Sequence, residues 1–352
     1  MTTLPADRLL ELVPADGVIG LGEPTHGSAN AFAAKMELVL ELARRGKLSA
    51  LAFEESYALG LQVDRALRGD GDLDAAWARA TSVWRTPVIR EGLGALRDLN
   101  RSLPPDRRIA FLGIDIKKPS LAAQGLLDRG HDEPPLHELA GGSDPLGPAR
   151  ANLTRLCRRL ATGPEPSTGA LARQLLRWIE AYREAPELPD LHLRDPFMAA
   201  TLLEQRPTDG LTAVWAHNEH VAINPDFFGE PAMGQVLADE LGGDYAAVGI
   251  LCGEGMCRAV DPSTGEDDYR SVPLPAVLPG STEAALAARN DSFVLTTEFS
   301  HPGPRRFLGW RIDSSAQVTE RGDIDIARPA SDFTAIAYLP GSVADTAWVP
   351  AR

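Results

Sequence analysis

Short apolar runs alternate along the chain with longer segments whose apolar residues recur at helical spacing. This pattern predicts an α/β fold with a mostly parallel central sheet flanked by helices. Val18-Ile19-Gly20-Leu21 is the first run, and after a polar turn Phe32, Met36, Val39, Leu40 and Ala43 share one helical face. Further strands are predicted at Leu48 to Phe53, Arg108 to Ile114, Leu211 to Ala216 and Tyr245 to Leu251, with later ones at 293–297 and 333–338. About two helices fit between the second and third strands. The stretch from Asp132 to Pro148, rich in Pro, Gly and acids, reads as an exposed loop. Beyond it, Leu153, Leu156, Leu160, Leu171, Leu175 and Ile179, interrupted by Gly163-Pro164-Glu165-Pro166, predict two helices and a turn. Residues of about 132–188 are thus expected to form a helical insertion capping the carboxyl ends of the strands, inside a single domain spanning 1–352. No solenoid-like repeat recurs.

Composition narrows the class of partner. The chain carries 49 acidic and 35 basic residues, a net charge of −14, which is the wrong sign for nucleic acid or an anionic membrane. A small-molecule substrate is expected instead. Only Lys35, Lys47, Lys117 and Lys118 are lysines, a bias that a GC-rich bacterial genome produces unaided. Cys157, Cys252 and Cys257 match neither a disulfide framework nor a zinc motif and read as thiols of a reducing cytoplasm. No secretory leader and no run of ~18 apolar residues is visible, so a cytoplasmic protein is expected.

In an open parallel sheet, ligands bind beyond the carboxyl ends of the strands. Glu23 and His26 follow the first strand, Glu54 ends the second, Asp115 the third, and His217, Asn218 and His220 follow the fourth. A single Glu or His in such a place is more often a helix cap or an ion-pair partner than a catalyst. The coincidence of His26, His217 and His220 at strand ends outweighs that reading. Arg97, Arg194 and Asp195 are assigned ion-pair roles, and His131, His137, His192 and His301, in polar loops, none. Gly-x-Ser-x-Gly, the dinucleotide glycine spacing, the Walker lysine and the His-Glu-x-x-His zinc pair are all missing.

Gly22-Glu23-Pro24-Thr25-His26-Gly27, Phe53-Glu54, Phe111-Leu112-Gly113-Ile114-Asp115, Arg194-Asp195-Pro196-Phe197-Met198 and Trp215-Ala216-His217-Asn218-Glu219-His220-Val221 resemble, in order and spacing, the successive motifs of the erythromycin esterase family. Met233-Gly234 and Leu237 continue the likeness, which covers roughly residues 15–255. The resemblance implies an α/β fold and, among known activities, macrolide-lactone hydrolysis. It implies His26 as general base on water, with Glu54 and Glu23 orienting or polarising it and His217 and His220 completing the site. Lys35 would bind an anion or an oxyanion. Asn30 stands where many members have Glu.

Ester hydrolysis needs a base for water, a donor for the oxyanion and an acid for the leaving alcohol, and His with Glu can supply these without a cofactor. Other readings of the same residues stay open. They suit a Zn²⁺ or Mn²⁺ hydrolase site, and proton transfer would equally serve elimination, cyclisation or epimerisation of a biosynthetic intermediate. A binding protein is the last alternative. Asp115 and Asn218 are expected to touch substrate, as are Phe227 and Phe228 at an apolar mouth with Pro231 and Met233. Lys35 and the helix N-terminus near Ser28 are expected to hold one carboxylate or carbonyl. The substrate expected is an uncharged or cationic ester or lactone, macrolide-like, met in antibiotic resistance or natural-product biosynthesis.

Overall fold

The computed structural model describes residues 4–144, 148–184, 189–223, 231–264, 268–299, 304–312 and 332–350. Its first half runs α1 (Ala6–Leu10), β1 (Val18–Leu21), α2 (Ala29–Arg44), β2 (Leu48–Ser56), α3 (Tyr57–Leu67), α4 (Leu73–Trp77), α5 (Pro87–Ser102), β3 (Ala110–Asp115) and α6 (Pro119–Leu127). Then follow α7 (Pro134–Ala140), α8 (Pro148–Ala161), α9 (Pro166–Ala181), α10 (Leu191–Gln205), β4 (Leu211–Trp215) and α11 (Asn218–Val221). The remainder is α12 (Met233–Leu241), β5 (Tyr245–Val260), β6 (Tyr269–Pro273), α13 (Thr282–Arg289), β7 (Phe293–Leu295) and β8 (Ala335–Ser342).

The sheet order is β3-β2-β4-β1-β5-β8-β7, with β6 paired to β5 off this path. Along this path the strands from β3 to β8 pair in parallel, while β7 on β8 and β6 on β5 are antiparallel. Every residue of β1 and β4 is buried, which is why both read as unbroken apolar runs: helices cover the two faces of a parallel sheet. Phe32 of α2, Phe53, Phe111, Trp77 and Trp215 belong to the apolar layer on one face, and Met198, Leu202 and Leu237 to the layer on the other. Among the described residues, no helix is long and apolar enough to cross a membrane.

The reading of 132–148 as a loop is corrected, because α7 lies within it. Pro134 opens that helix and Pro135 follows, where missing N–H groups cost nothing, and Leu136 and Leu139 are buried beneath it. Helices α7–α9 pack on one another and on α3, α6 and α10. The sequence also understates β5, which runs on past Leu251 to Val260 and turns back as β6.

Two glycines let the loop after β1 lie close to its neighbours. A Cβ on Gly22 would stand 2.1 Å from Asn218 Oδ1, and one on Gly27 would stand 2.0 Å from the carbonyl oxygen of Arg258. Gly27 O accepts backbone bonds from Arg258 and Asp345, so a methyl group there would force the loop off β5.

Candidate active site

Strands β1, β2, β3 and β4 point the same way, so their carboxyl ends deliver side chains to one edge. A cleft of about 540 Å³ opens there, lined by His26, Glu54, Lys117, Arg194, His217, Glu219 and His220 among the polar groups. Trp84, Tyr182, Tyr269, Phe307 and Trp310 supply most of its apolar wall.

His26 stands at the cleft on the loop after β1. Its Nδ1 lies 2.8 Å from Glu23 Oε1, while Lys35 Nζ donates to Glu23 Oε2 at 2.8 Å. Glu23 and Lys35 are fully buried. A carboxylate only accepts, so Nδ1 carries a proton, and in the neutral ring Nε2 presents a lone pair. The ring packs edge-on against Trp84 and His217, at 4.6 and 5.0 Å between centroids. Lys35 also donates to Ala216 O at 3.2 Å and lies 4.3 Å from the Trp215 ring centroid. Burial pulls its ammonium down to about 8 although Glu23 beside it works the other way.

A second cluster forms the floor. Arg194, from α10, places Nη2 2.7 Å from Asp115 Oδ2 and 2.9 Å from Glu54 Oε1, with Nε 3.3 Å from Asp115 Oδ1. Lys117 Nζ lies 2.8 Å from Asp115 Oδ2 and 3.6 Å from Glu54 Oε1. His220 is held between Asp195, 2.8 Å from Nδ1, and Glu54, 3.4 Å from Nε2. Burial opposes charge on this imidazole, yet the two carboxylates raise it to about 10, so it is an imidazolium at neutral pH. Burial likewise pushes Glu54 and Asp115 upward. His220 and Lys117 hold Glu54 well below the carboxylate range, and Arg194 and Lys117 do the same for Asp115.

His217 is the opposite case. Its Nε2 lies 3.3 Å from Pro24 O and 3.2 Å from Leu308 O, and its Nδ1 accepts from the Glu219 N–H at 3.3 Å. Both ring nitrogens are committed to backbone in the neutral form, and burial, with His26 nearby, lowers the ring to about 4. Beside it Glu219 forms a two-pronged pair with Arg305, whose Nε donates to Asp332 Oδ2 at 2.9 Å.

These two histidines set opposing limbs of stability. An imidazole normally titrates near ~6.5. His217 is neutral in the folded chain down to about 4, so its share of stability is present above ~6.5 and lost as pH falls toward 4. His220 stays protonated up to about 10; its share is full below ~6.5 and lost as pH rises toward 10. Thermal melts across pH 4–10 should therefore peak near ~6.5, and His220→Gln should flatten the alkaline limb. An unchanged alkaline limb in that variant would refute the charged state of His220.

Several expected substrate contacts are corrected. Lys35 is fully buried on Glu23 and does not reach the cleft. Asn218 spends its amide on β5, donating to Ile250 O at 2.7 Å and accepting from Ile250 N at 3.0 Å. Asp115 is fully buried against Arg194 and Lys117 and acts through them. The N-terminus of α2 is no anion site, because Ala29 N donates to Val343 O and Ser28 is buried. Asn30 faces the same strand end, donating to Gly341 O at 2.7 Å. Met233 is buried in the apolar layer. Phe227 and Phe228 lie outside the described residues.

Sequence reasoning also missed Lys117, Lys118 and the site role of Arg194 and Asp195. One signal was available: of the four lysines in a chain so biased to arginine, only the exposed Lys47 stands apart from the site. Lys35, Lys117 and Lys118 all join these ion pairs.

The sequence pattern of the family described as erythromycin esterase matches residues 45–339. Among solved structures, a succinoglycan biosynthesis protein superposes with a TM-score of 0.78 at 20% identity, covering 96% of this chain and 91% of its own. A Bacillus cereus protein gives 0.77 at 18% identity over 99% and 95%. The erythromycin esterase EreC, a histidine-to-asparagine mutant in its open conformation, gives 0.64 at 17% identity over 97% and 94%. At these identities the structural likeness establishes the α/β fold.

Proposed function

Because this chain belongs to the erythromycin esterase family, a family of hydrolases, we propose that it hydrolyses an ester or lactone in a hydrophobic, natural-product-like small molecule. The observation that carries the reading is His26: it lines the cleft, and its Nδ1 is pinned by Glu23, which leaves Nε2 for chemistry. His26 Nε2 takes a proton from water, Glu23 stabilises the resulting imidazolium, and Lys35 fixes the far oxygen of Glu23. The imidazolium then returns the proton to the leaving alcohol. Glu54 orients the floor by holding Arg194 and His220.

The cleft supports an uncharged substrate. Glu54, Asp115 and Asp195 are matched by Arg194, Lys117 and His220, leaving no surplus charge in the floor, and the wall is aromatic. A macrolide or similar polyketide lactone has that character. The buried thiols Cys157, Cys252 and Cys257 fit a cytoplasmic location. A panel of macrolides and aryl esters with mass spectrometry of the products tests the reaction. Gain of one water is expected; loss of a leaving group, or unchanged mass with a new product, would replace hydrolysis by elimination or by cyclisation or epimerisation.

The commitments of the donors support a metal-free route. His26 Nδ1 is on Glu23, both nitrogens of His217 are on backbone, and those of His220 face carboxylates. Activity is expected to survive prolonged EDTA dialysis, with metal well below stoichiometric by elemental analysis. Stoichiometric zinc or manganese, and recovery only on adding it back, would make the protein a metal-dependent hydrolase.

A further inference from the structure

We propose that Lys117 is the catalytic donor that receives the carbonyl oxygen of the ester as it becomes an oxyanion, a role that rests on the hydrolytic reading above. An ester hydrolase needs such a donor aimed at its cleft, and the cations of this floor are not equivalent. Arg194 has Nε and Nη2 on Asp115 and Glu54, and its side chain is only 9% exposed. Both ring nitrogens of His220 face carboxylates. Lys117, at the cleft, keeps 28% of its side chain exposed. Its ammonium has three N–H groups, one close contact to Asp115 at 2.8 Å and one loose contact to Glu54 at 3.6 Å. A donor remains for a ligand, and the long stem lets the ammonium leave Glu54 for a carbonyl oxygen while Asp115 still holds it.

The backbone is shaped to deliver this group. Glu54-Glu55 lie near the end of β2, just before Ser56, and Lys117-Lys118 follow the end of β3 at Asp115, and these sort into the pairs Glu54 with Lys117 and Glu55 with Lys118. Lys118 adopts the left-handed conformation at φ 57, uncommon for a residue with a side chain and found where the surroundings enforce it. Its ammonium is drawn away from the cleft, onto Glu55 and the carbonyl oxygen of Arg79 at 2.7 Å. The adjacent lysines are thereby separated, and Lys117 alone of the two is left at the cleft wall.

In the step, the water oxygen bonds to the carbonyl carbon as His26 takes its proton, and the C=O π pair moves onto the oxygen beside Lys117. Collapse restores C=O and breaks the bond to the alkoxy oxygen, which takes the proton back from His26. Lys117 remains an ammonium throughout.

The test compares wild type with Lys117→Met and Lys117→Gln on p-nitrophenyl butyrate and a macrolide panel. It also measures the affinity of the p-nitrophenyl monoester of propylphosphonic acid, which imitates the tetrahedral intermediate. Lys117→Met is expected to lose ~10²–10³-fold in kcat with KM within about threefold, as for removal of one oxyanion donor, and to bind the phosphonate correspondingly more weakly. Lys117→Gln, which keeps an N–H donor and the polarity of the site, is expected to lose about tenfold or more, and it decides the matter if the Met variant does not fold. Wild-type turnover with folded variants within threefold in kcat, or a loss confined to KM, overturns the role of Lys117 alone. No turnover and no phosphonate binding by wild type overturns the hydrolytic reading and this role with it.

Discussion

Replacing His26 by alanine is expected to lower kcat/KM by ~10³-fold or more on any ester the protein hydrolyses, with no loss of fold. The imidazole is 12% exposed and lies on a loop at the cleft, so truncation costs its edge contacts with Trp84 and His217 but leaves the apolar layers of the sheet intact. Glu23 keeps its other partner, Lys35, and the carboxylate is not left alone in the interior. What disappears is a cleft-lining imidazole with one ring nitrogen pinned by buried Glu23 and, unlike His220, no carboxylate on the other among the described residues. General-base catalysis of this kind is worth ~10²–10⁴-fold. Loss of the base also idles Glu23 and Lys35, so the deficit belongs to the trio together. The measurement is kcat/KM for His26→Ala beside a thermal melt. A well-folded variant retaining more than a tenth of wild-type kcat/KM would remove His26 from the chemistry.

Arg194→Met is expected to be the most damaging change to stability, at about 3–5 kcal/mol, because it breaks a buried ion cluster from one side. Glu54 and Asp115 share Arg194 as well as Lys117, and Arg194 bonds both within 3 Å. Methionine fills similar volume but leaves Asp115 with Lys117, and Glu54 with His220 and the looser Lys117 contact. Burial, which already favours the neutral acids, would then raise both carboxyl groups. Urea unfolding at pH 7 and at pH 5 separates the cause from simple loss of packing. Protonation at the lower pH relieves uncompensated acids, so the variant's deficit should shrink there. A deficit that is equal at both pH values would mean that Arg194 matters for its shape and not its charge.

Much of this site is legible in the amino-acid sequence. Strands buried on both faces must be apolar throughout, and helices lying on them must be apolar every three or four residues, so Val18–Leu21, Leu211–Trp215 and the stripe from Phe32 to Ala43 announce their elements. Parallel pairing then obliges whatever follows those strands to meet at one edge. On that ground His26, Glu54 and His220 could be placed together from residues far apart in the chain. Helix α7 escaped because its two prolines sit at the helix start, where they are tolerated, in a stretch otherwise composed like a loop.

The division of labour within the site was decided by tertiary structure alone. Nothing local to Lys35 says that its ammonium ends on Glu23 beneath the cleft, or that the Asn218 amide closes onto β5. Nothing local to Lys117 says that its left-handed neighbour will carry the second ammonium away. Arg194 reads as an ordinary ion-pair partner until α10 brings it across to Asp115, 79 residues earlier in the chain, and to Glu54, 140 residues earlier. The physical reason is that a polar side chain's role depends on which partners satisfy it and what donor or lone pair is left over. A sequence specifies how many hydrogen bonds each group can make, but which of them are consumed inside the protein is settled only when distant segments pack.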